Sequence, residues 1–232
     1  MEKEKKGMDI CMKRNVSLKE ISDGRLYGSN DMVKVDCHDC KGCSKCCRGM
    51  GSSIVLDPYD IYRLNGGLKL SFQQLLEECL ELNVVDHLTL PNIRMVKETD
   101  HCGFLNQEGR CSIHSWRPGI CRLFPLGRYY EGKDFRYFLQ IHECPHEPKS
   151  KVKIKKWIDT PRLKEYETFI REWHFFLKSM EEYILSISDE EEIRNTSLYV
   201  LMSFYMKPYD TNADFYPQFY FRLNQAKQLL EG

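Results

Sequence analysis

Five cysteines stand close together in this chain, in the arrangement Cys37-x2-Cys40-x2-Cys43-x2-Cys46-Cys47. Thiols this close cannot all pair as disulfides without strain, whereas a Cys-x2-Cys spacing lets two thiolates turn toward one metal ion. Without Cys46, the run has the C-x2-C-x2-C-x3-C spacing of bacterial ferredoxins. A single zinc ion takes four ligands, so one ion cannot use all five thiols. The run therefore indicates a metal centre.

Two later cysteines, Cys102 and Cys111, flank a segment that is typical of a hairpin loop, residues 106–109. With Leu105 placed opposite Arg110, the two cysteines point to the same face as diagonal neighbours, roughly 7–8 Å apart. Metal–sulfur bonds are about 2.3 Å long, so two thiolates at this separation can share a metal centre. The hairpin therefore predicts a second pair of ligands.

Cys121 and Cys144 complete the set of candidate ligands. Cys121 follows Arg117-Pro118, a start signal for a short helix, and a place in the first turn is expected to lower the pKa of its thiol. Cys144 precedes Pro145 in a predicted loop. The predicted metal ligands are Cys37, Cys40, Cys43, Cys46, Cys47, Cys102, Cys111, Cys121 and Cys144.

Charged and imidazole side chains are interleaved with these cysteines. Four thiolates around one Zn²⁺ or one cluster core leave a net negative charge, which nearby cations could offset. The candidate cations are Lys41, Lys45, Arg48, Arg110, Arg117, Arg122 and Arg128. The histidines that remain open as alternative ligands are His38, His101, His114, His142 and His146. For about half of the cations, solvated surface charge is the simpler interpretation.

These motifs together resemble the YkgJ-type cysteine-cluster family, whose CxxCxxCC domain is described as zinc- or iron-chelating. The first match is the run from Cys40 to Cys47, and the second is Asp57-Pro-Tyr-Asp60-Ile. The later matches are Cys102-Gly-Phe-Leu, Gly109-Arg-Cys111-Ser-Ile-His114, Arg117-Pro-Gly-Ile-Cys121-Arg-Leu-Phe-Pro125 and Glu143-Cys144-Pro145. The resemblance covers about residues 37–146. Ser44 stands where the family usually has glycine, and Cys37, Cys11 and Cys79 are additions to its eight-cysteine pattern.

The resemblance implies a protein that holds an iron–sulfur cluster or Zn²⁺, with iron slightly favoured and no defined biochemical role. An alternative is an enzyme that depends on an iron–sulfur centre, either a redox enzyme or a protein lysine N-methylase similar to flagellin N-methylases. The sequence leaves open whether the chain is an enzyme. It contains no glycine-rich fingerprint for a methyl donor.

The composition limits the cellular location and the binding partners that we expect for the protein. Thirty-four Lys and Arg balance 34 Asp and Glu, so no net field favours nucleic acid, and the basic run at 149–156 is the only feature that suggests it. The charged start lacks a signal peptide, and no run approaches the roughly 18 apolar residues of a membrane span. We therefore expect a cytoplasmic protein whose partner is a metal ion or cluster, with no membrane contact; a protein partner remains open. In a reducing cytosol, clustered cysteines favour metal over disulfides.

The predicted fold class is α+β and mainly helical: a cysteine-rich metal-binding domain with short strands and a hairpin, followed by an amphipathic helical region. The predicted divisions are a polar lead-in (1–36), the cysteine-cluster domain (37–148), a basic linker or edge strand (149–156) and the C-terminal helices (157–232). Met32 to Asp36 alternates as a short strand does. These elements must bring the distant cysteines to one place.

Capping signals predict where the helices begin. Asp57-Pro58 predicts a helix that ends at Gly66-Gly67, and Ser71 with Gln74 predicts a capping box. In that second helix, Cys79 shares a face with apolar residues, which favours a core thiol over a ligand.

Three further helices are predicted to form a small bundle on the cysteine domain. Thr160-Pro161 begins the first, in which His174 is expected to be a core residue; Ser188 with Glu191 begins the second, through about Met206, and Asp214 caps the third, through Leu230. The apolar face of the first consists of Leu163, Tyr166, Phe169, Ile170, Trp173, Phe176, Leu177, Met180, Tyr183, Ile184 and Ile187.

Overall fold

Helices and small antiparallel strand pairs make up the fold, with 46% helix and 22% strand in the part of the chain that the structure describes. The structure is a computed structural model, and it describes residues 17–36, 43–145, 147 and 149–231. The α-helices are α1 (Leu18–Ile21), α2 (Pro58–Leu68), α3 (Phe72–Glu78), α4 (Gly119–Leu123), α5 (Ile154–Ile158), α6 (Leu163–Ser186), α7 (Glu190–Leu201) and α8 (Phe215–Glu231). Short 3₁₀ turns span Lys45–Cys47 and His114–Trp116. The prediction of a mixed fold with a helical C-terminal region is confirmed.

The strands form four separate two-stranded antiparallel pairs among the described residues. They are β1 (Met32–Asp36), β2 (Leu80–Val85), β3 (Leu88–Ile93), β4 (Met95–Val96), β5 (His101–Cys102), β6 (Leu126–Glu131), β7 (Asp134–Leu139) and β8 (Ser150–Lys153). Strand β1 confirms the predicted strand and pairs with β8, which lies in the basic segment. The other pairs are β2 with β3, β4 with β5, and β6 with β7.

Helix α2 begins as predicted and ends later than predicted. The Asp57 side chain accepts from the Asp60 backbone N–H, and Asp60 returns the bond, so the N-terminus has a capping box. The prediction that Gly66-Gly67 ends the helix is wrong, because both glycines lie inside it and Lys69 takes the left-handed position at φ 60°. A side chain at Gly67 would collide with the Trp116 ring, so that glycine permits close packing rather than a helix end.

Helix α3 has the predicted capping box between Ser71 and Gln74. Phe72 and Leu75 are buried, which confirms the predicted apolar face. Cys79 follows the last turn and is only half-buried against the core. The Cys79 thiol therefore packs against the core, as predicted, but it is more exposed than a fully buried core residue.

Helix α6 is the longest element and is the centre of the main core. Its predicted apolar face is confirmed, with Tyr166, Phe169, Trp173, Phe176, Met180 and Ile184 among the buried residues. His174 is also buried, and its ring stacks on Tyr130 with centroids 3.4 Å apart. The helix therefore contacts the rest of the protein on nearly every turn.

Helices α7 and α8 complete the C-terminal region with one small correction. Asp189, rather than Ser188, is the N-cap of α7, and its side chain accepts from the backbone N–H of Glu191. Helical structure continues to Met206 as predicted, but Met202–Met206 is π-helix. Asp214 precedes α8 and accepts from the Tyr216 backbone N–H, as the capping prediction requires.

Two hydrophobic clusters fill the interior. The larger one joins α2, α3, β2 and β3 to α6, α7 and α8, and Cys47, Cys79, Cys102, Cys111 and Cys121 contact it. The smaller one consists of Val33, Val35, Leu123, Leu126, Tyr137, Ile154 and Ile158. Among the described residues, no helix has the length and apolarity that a membrane crossing needs.

Candidate metal centre

Six cysteine side chains line one cavity of about 100 Å³. They come from three separate stretches of the chain, and all are free thiols. These six are Cys43, Cys46, Cys47, Cys102, Cys111 and Cys121. Most of the other lining residues are apolar, among them Met50, Ile54, Ile93, Phe104, Ile113 and Phe124. The fold thus gathers thiols that lie up to 78 positions apart in sequence around one apolar space.

Of the remaining predicted ligands, the structure describes only Cys144, which is not among the lining residues. Cys37 and Cys40 lie outside the described residues. Cys144 lies in a loop, as predicted, where its backbone carbonyl accepts from Lys149 Nζ at 2.7 Å. Cys79, which the sequence assigns to the core, is also absent from the cavity lining.

The first stretch is held by a 3₁₀ turn and by contacts with the second stretch. The Cys47 N–H donates to the Ser44 carbonyl at 2.9 Å, which places Cys46 and Cys47 on one tight turn. Immediately after it, the Gly49 N–H donates to the Asp100 carbonyl at 2.8 Å. This bond joins the dense cysteine run to the segment that leads into β5 and its cysteine.

The second stretch is the predicted hairpin, with its register shifted by one residue. Leu105 pairs with Cys111, not with Arg110 as predicted. The reason is the turn, in which Asn106 N–H donates to the Arg110 carbonyl and the Asn106 side chain accepts from the Arg110 N–H, both at 2.8 Å. Asn106 therefore ends the loop, and the pairing moves outward by one residue. In a regular hairpin this register would place Cys102 and Cys111 on opposite faces, yet both line the same cavity; the chain turns after Cys102, whose carbonyl accepts from the Leu105 N–H at 2.9 Å.

The third stretch is helix α4, which carries Cys121 near its start. The Gly119 N–H donates to Asp60 Oδ1 at 2.8 Å, a buried bond that ties α4 to α2. A side chain at position 119 would collide with the Tyr166 hydroxyl, so glycine is required for this close approach. Asp60 belongs to the motif matched in the sequence, but its contact with Gly119 spans 59 positions and has no local signal.

Burial raises the pKa of the enclosed thiols, which corrects one prediction. The short helix was expected to lower the pKa of Cys121, but loss of solvent raises it well above its usual value, and the nearby Cys102 and Asp60 add to the effect. A helix terminus offers only a fractional charge, so desolvation outweighs it here. Burial likewise raises the pKa of Cys102 to about 11 and that of Cys111 by a smaller amount.

Within the dense run, Cys46 and Cys47 act as a pair. The hydrogen bond between their side chains is the largest cause of a raised pKa at Cys46, ahead of burial. Such a bond favours the protonated thiol, so without a metal ion the pair holds at least one proton at neutral pH. A metal ion that binds here must displace that proton.

Two of the predicted cations face the cavity, and two others, Arg122 and Arg128, do not line it. Arg110 and Arg117 line it, and Arg117 opposes the rise in pKa at Cys46 and Cys111. The other two, Arg122 and Arg128, differ in their partners. Arg122 is buried and donates to the carbonyls of Arg117, Asp159 and Ser115. Arg128 lies against Tyr166 in a neighbouring cavity.

The histidines differ in position. His114 lines the cavity, and its Nε2 lies 2.9 Å from Arg117 Nη1. His101 Nδ1 lies 2.9 Å from the Cys102 carbonyl, and His142 is exposed. His38 and His146 lie outside the described residues. His114 is therefore the described histidine best placed to accompany the thiols.

The thiols that line the cavity are suited to metals that prefer sulfur ligands. Thiolate sulfur selects zinc and iron–sulfur clusters, whereas magnesium and calcium prefer oxygen. Within the described ranges, no three His, Cys, Asp or Glu side chains already stand in ligating geometry. The residues fit such a group by their chemistry and by sharing one cavity. A cysteine-rich cavity of this kind is a candidate site for a chelated metal.

The comparison with protein families agrees with a site of this kind. Residues 39–157, just over half of the 232 residues, match the family CxxCxxCC, described as "Putative zinc- or iron-chelating domain". The chain belongs to that family, which supports a metal-binding role. No curated protein and no solved structure matched the chain.

Proposed function

We propose that the chain holds more than one metal atom in its cysteine cavity, as an iron–sulfur cluster rather than a single zinc ion. The observation that carries this proposal is the set of six thiols around one cavity. Six thiols exceed the four ligands of one tetrahedral zinc ion, which favours more than one metal atom. They also exceed the four cysteines of one iron–sulfur cluster, so the preference for iron rests on the ferredoxin-like spacing. The ferredoxin-like spacing that includes Cys37 and Cys40 adds two candidates from outside the described residues.

The residues of the cavity divide into ligands and surroundings. We assign ligation to the six lining cysteines, with Cys37, Cys40 and Cys144 as further candidates from sequence spacing. Arg110 and Arg117 are suited to offset the negative charge of bound thiolates. The apolar lining reduces the contact of the sulfurs with water, and solvent exposure is one factor that sets the potential of iron–sulfur centres. When bound, the cluster would supply electron-transfer or Lewis-acid chemistry.

The function fits a reducing compartment, which we propose to be the cytoplasm. Eight described cysteines are free thiols, and such thiols persist where disulfides are kept reduced. Metal binding, rather than disulfide formation, would then stabilise the cysteine-rich part of the chain.

Anaerobic purification followed by metal and sulfide analysis tests the proposal. We expect iron and acid-labile sulfide in similar amounts, several atoms of each per chain, with visible absorption that bleaches on reduction. The matched pair of variants is Cys121→Ser, which removes a lining thiol, and Cys79→Ser, which removes a half-buried thiol that does not line the cavity. Cys121→Ser should lower the iron content, whereas Cys79→Ser should leave it unchanged.

Two results would contradict parts of this proposal. Stoichiometric zinc without iron or sulfide, in protein prepared without oxygen, would replace the cluster with a zinc site. Metal content that is equal in Cys121→Ser, Cys79→Ser and the unaltered chain would remove the cavity itself as the site.

A further inference from the structure

A second cavity of about 200 Å³ adjoins the cysteine cavity. Met50, Ile120 and Phe124 line both of them, so the two spaces share a wall. The apolar part of the second cavity includes Leu56, Leu90, Leu123, Leu126, Trp173 and Leu177. A dry cavity of roughly 150 Å³ is enough to hold benzene, so this space can take a ring or a chain of similar size.

Arg128, on strand β6, is the cation of this cavity. Its guanidinium lies over the rings of Phe135 and Tyr166, at 5.7 Å and 5.8 Å from their centroids. Its one hydrogen bond to a described residue is long, 3.5 Å from Nη2 to the Tyr166 hydroxyl. Its Nε is buried and has no partner among the described residues. A guanidinium has five N–H donors, and a buried donor without a partner costs free energy.

Two of the three acidic residues of the cavity, Asp57 and Asp60, have hydrogen bonds to other partners. Asp60 accepts at both oxygens, from the Gly119 N–H and the Asp57 N–H. Asp57 Oδ1 in turn accepts from the Asp60 N–H. The two carboxyl groups therefore serve as helix cap and helix link. Burial raises the pKa of both and the charge of Arg128 opposes that rise, but neither carboxyl accepts a hydrogen bond from the Arg128 guanidinium. Glu143, Gln140 and Tyr130 complete the polar lining together with His174, whose pKa burial lowers to about 4, so that it is neutral.

We infer that this cavity binds a small organic carboxylate, with its apolar body against the leucine wall and its carboxylate on Arg128. An apolar cavity with a few convergent polar groups is the usual form of a small-molecule site. Carboxylate matches the guanidinium because its two oxygens accept a pair of parallel N–H donors. The inference does not require a metal ion, but the shared wall would place such a ligand beside the cysteine cavity.

Calorimetric titration of the full-length chain tests the inference with three probes of similar size: benzoate, benzamide and benzylamine. For benzoate we expect a dissociation constant on the order of 1 mM or tighter. Because benzamide lacks the charge, it should bind at least about tenfold more weakly. Arg128→Gln should abolish this preference, whereas Arg136→Gln should retain it, since Arg136 is exposed on the neighbouring strand β7.

A second variant protects the test against misfolding of Arg128→Gln. Leu177→Phe keeps the guanidinium and fills part of the apolar wall, so it should weaken benzoate binding while the unfolding midpoint stays near that of the unaltered chain. Equal binding of benzoate and benzamide would overturn the inference, as would benzoate binding that is insensitive to both variants. Tighter binding of benzylamine would assign recognition to the acidic residues instead. Absence of binding by all three probes at 10 mM would also overturn it.

Discussion

The raised pKa values of the enclosed thiols make proton release a direct count of thiolate ligands. A metal ligand must be deprotonated, so each thiol that binds a metal ion loses its proton. Cys102, with a pKa of about 11, illustrates the starting state, and Cys46, Cys111 and Cys121 are also raised. We therefore expect zinc binding to the reduced, metal-free chain to release about one proton for every thiolate ligand.

The number of protons released on zinc binding follows from the acid–base equilibrium of the thiols. At pH 7, a thiol of pKa about 11 is ionised in about one molecule in 10⁴, so its binding releases essentially a whole proton. If the metal-free chain is unfolded, its thiols have a pKa near 8.5, and about 3% are ionised at pH 7, which gives nearly the same count. Four thiolates then release about four protons per zinc ion. The apparent affinity should rise by about four powers of ten per pH unit.

Isothermal titration calorimetry with Zn²⁺ measures this count. The same titration is run at pH 7 in buffers of different ionisation enthalpy, and the slope of observed enthalpy against buffer enthalpy gives the number of protons released. Cys79→Ser is the matched control, because burial also raises the pKa of Cys79 to about 11, but its side chain is absent from the cavity lining. The control should release the same number of protons as the unaltered chain.

The result that refutes the reasoning is a low count. Two or fewer protons per zinc ion would mean that neutral imidazoles or ionised carboxylates supply the remaining ligands, since these are already deprotonated at pH 7. A count that falls by one in Cys79→Ser would place that thiol in the metal centre and remove its assignment to the core.

Three further predictions concern the framework of the site. Ser71→Ala should lower the free energy of unfolding by about 1 kcal/mol in urea titrations, because it removes the α3 cap; an unchanged midpoint would contradict the capping assignment. Gly119→Ala should destabilise by about 1–3 kcal/mol through its collision with the Tyr166 hydroxyl, and Tyr166→Phe in the same chain should recover part of the loss. His174 has a folded pKa of about 4 against 6.5 when unfolded, so the unfolded state binds more protons between these values and stability falls as pH drops through that window. The fall is at most about 3 kcal/mol, and His174→Phe should flatten it in urea titrations between pH 7 and pH 4; equal pH slopes would contradict the assignment.

Local sequence signals predicted the helices and strands well wherever contacts between residues close in sequence determine the element. The apolar spacing of α6 and the capping box at Ser71 depend on contacts within one or two turns, and the structure confirms both. The glycine pair at the end of α2 misled the prediction, because Gly67 is required by Trp116, a residue 49 positions away. The division of the chain near residue 148 stays a prediction.

The hairpin that carries Cys102 and Cys111 shows which features the sequence pattern alone could predict and which it could not. The loop was predictable from its turn residues, whereas the shared cavity was not, because the observed register would put the two cysteines on opposite faces of a regular hairpin. The exact register was also not predictable, because the Asn106 side chain competes with the backbone for the turn hydrogen bonds. The direction of the pKa shift at Cys121 could not be predicted either, because it depends on burial by residues from other segments.

By itself, then, the sequence determined the chemistry of the site, because closely spaced cysteines and their intervals define a soft donor set before any folding. Tertiary structure decided which thiols meet, since Cys121 lies on a helix that the long-range bond between Gly119 and Asp60 ties to α2. It also decided the protonation of those thiols and created the second cavity beside them. Burial and long-range packing set these properties, and neither is encoded in the spacing of neighbouring residues.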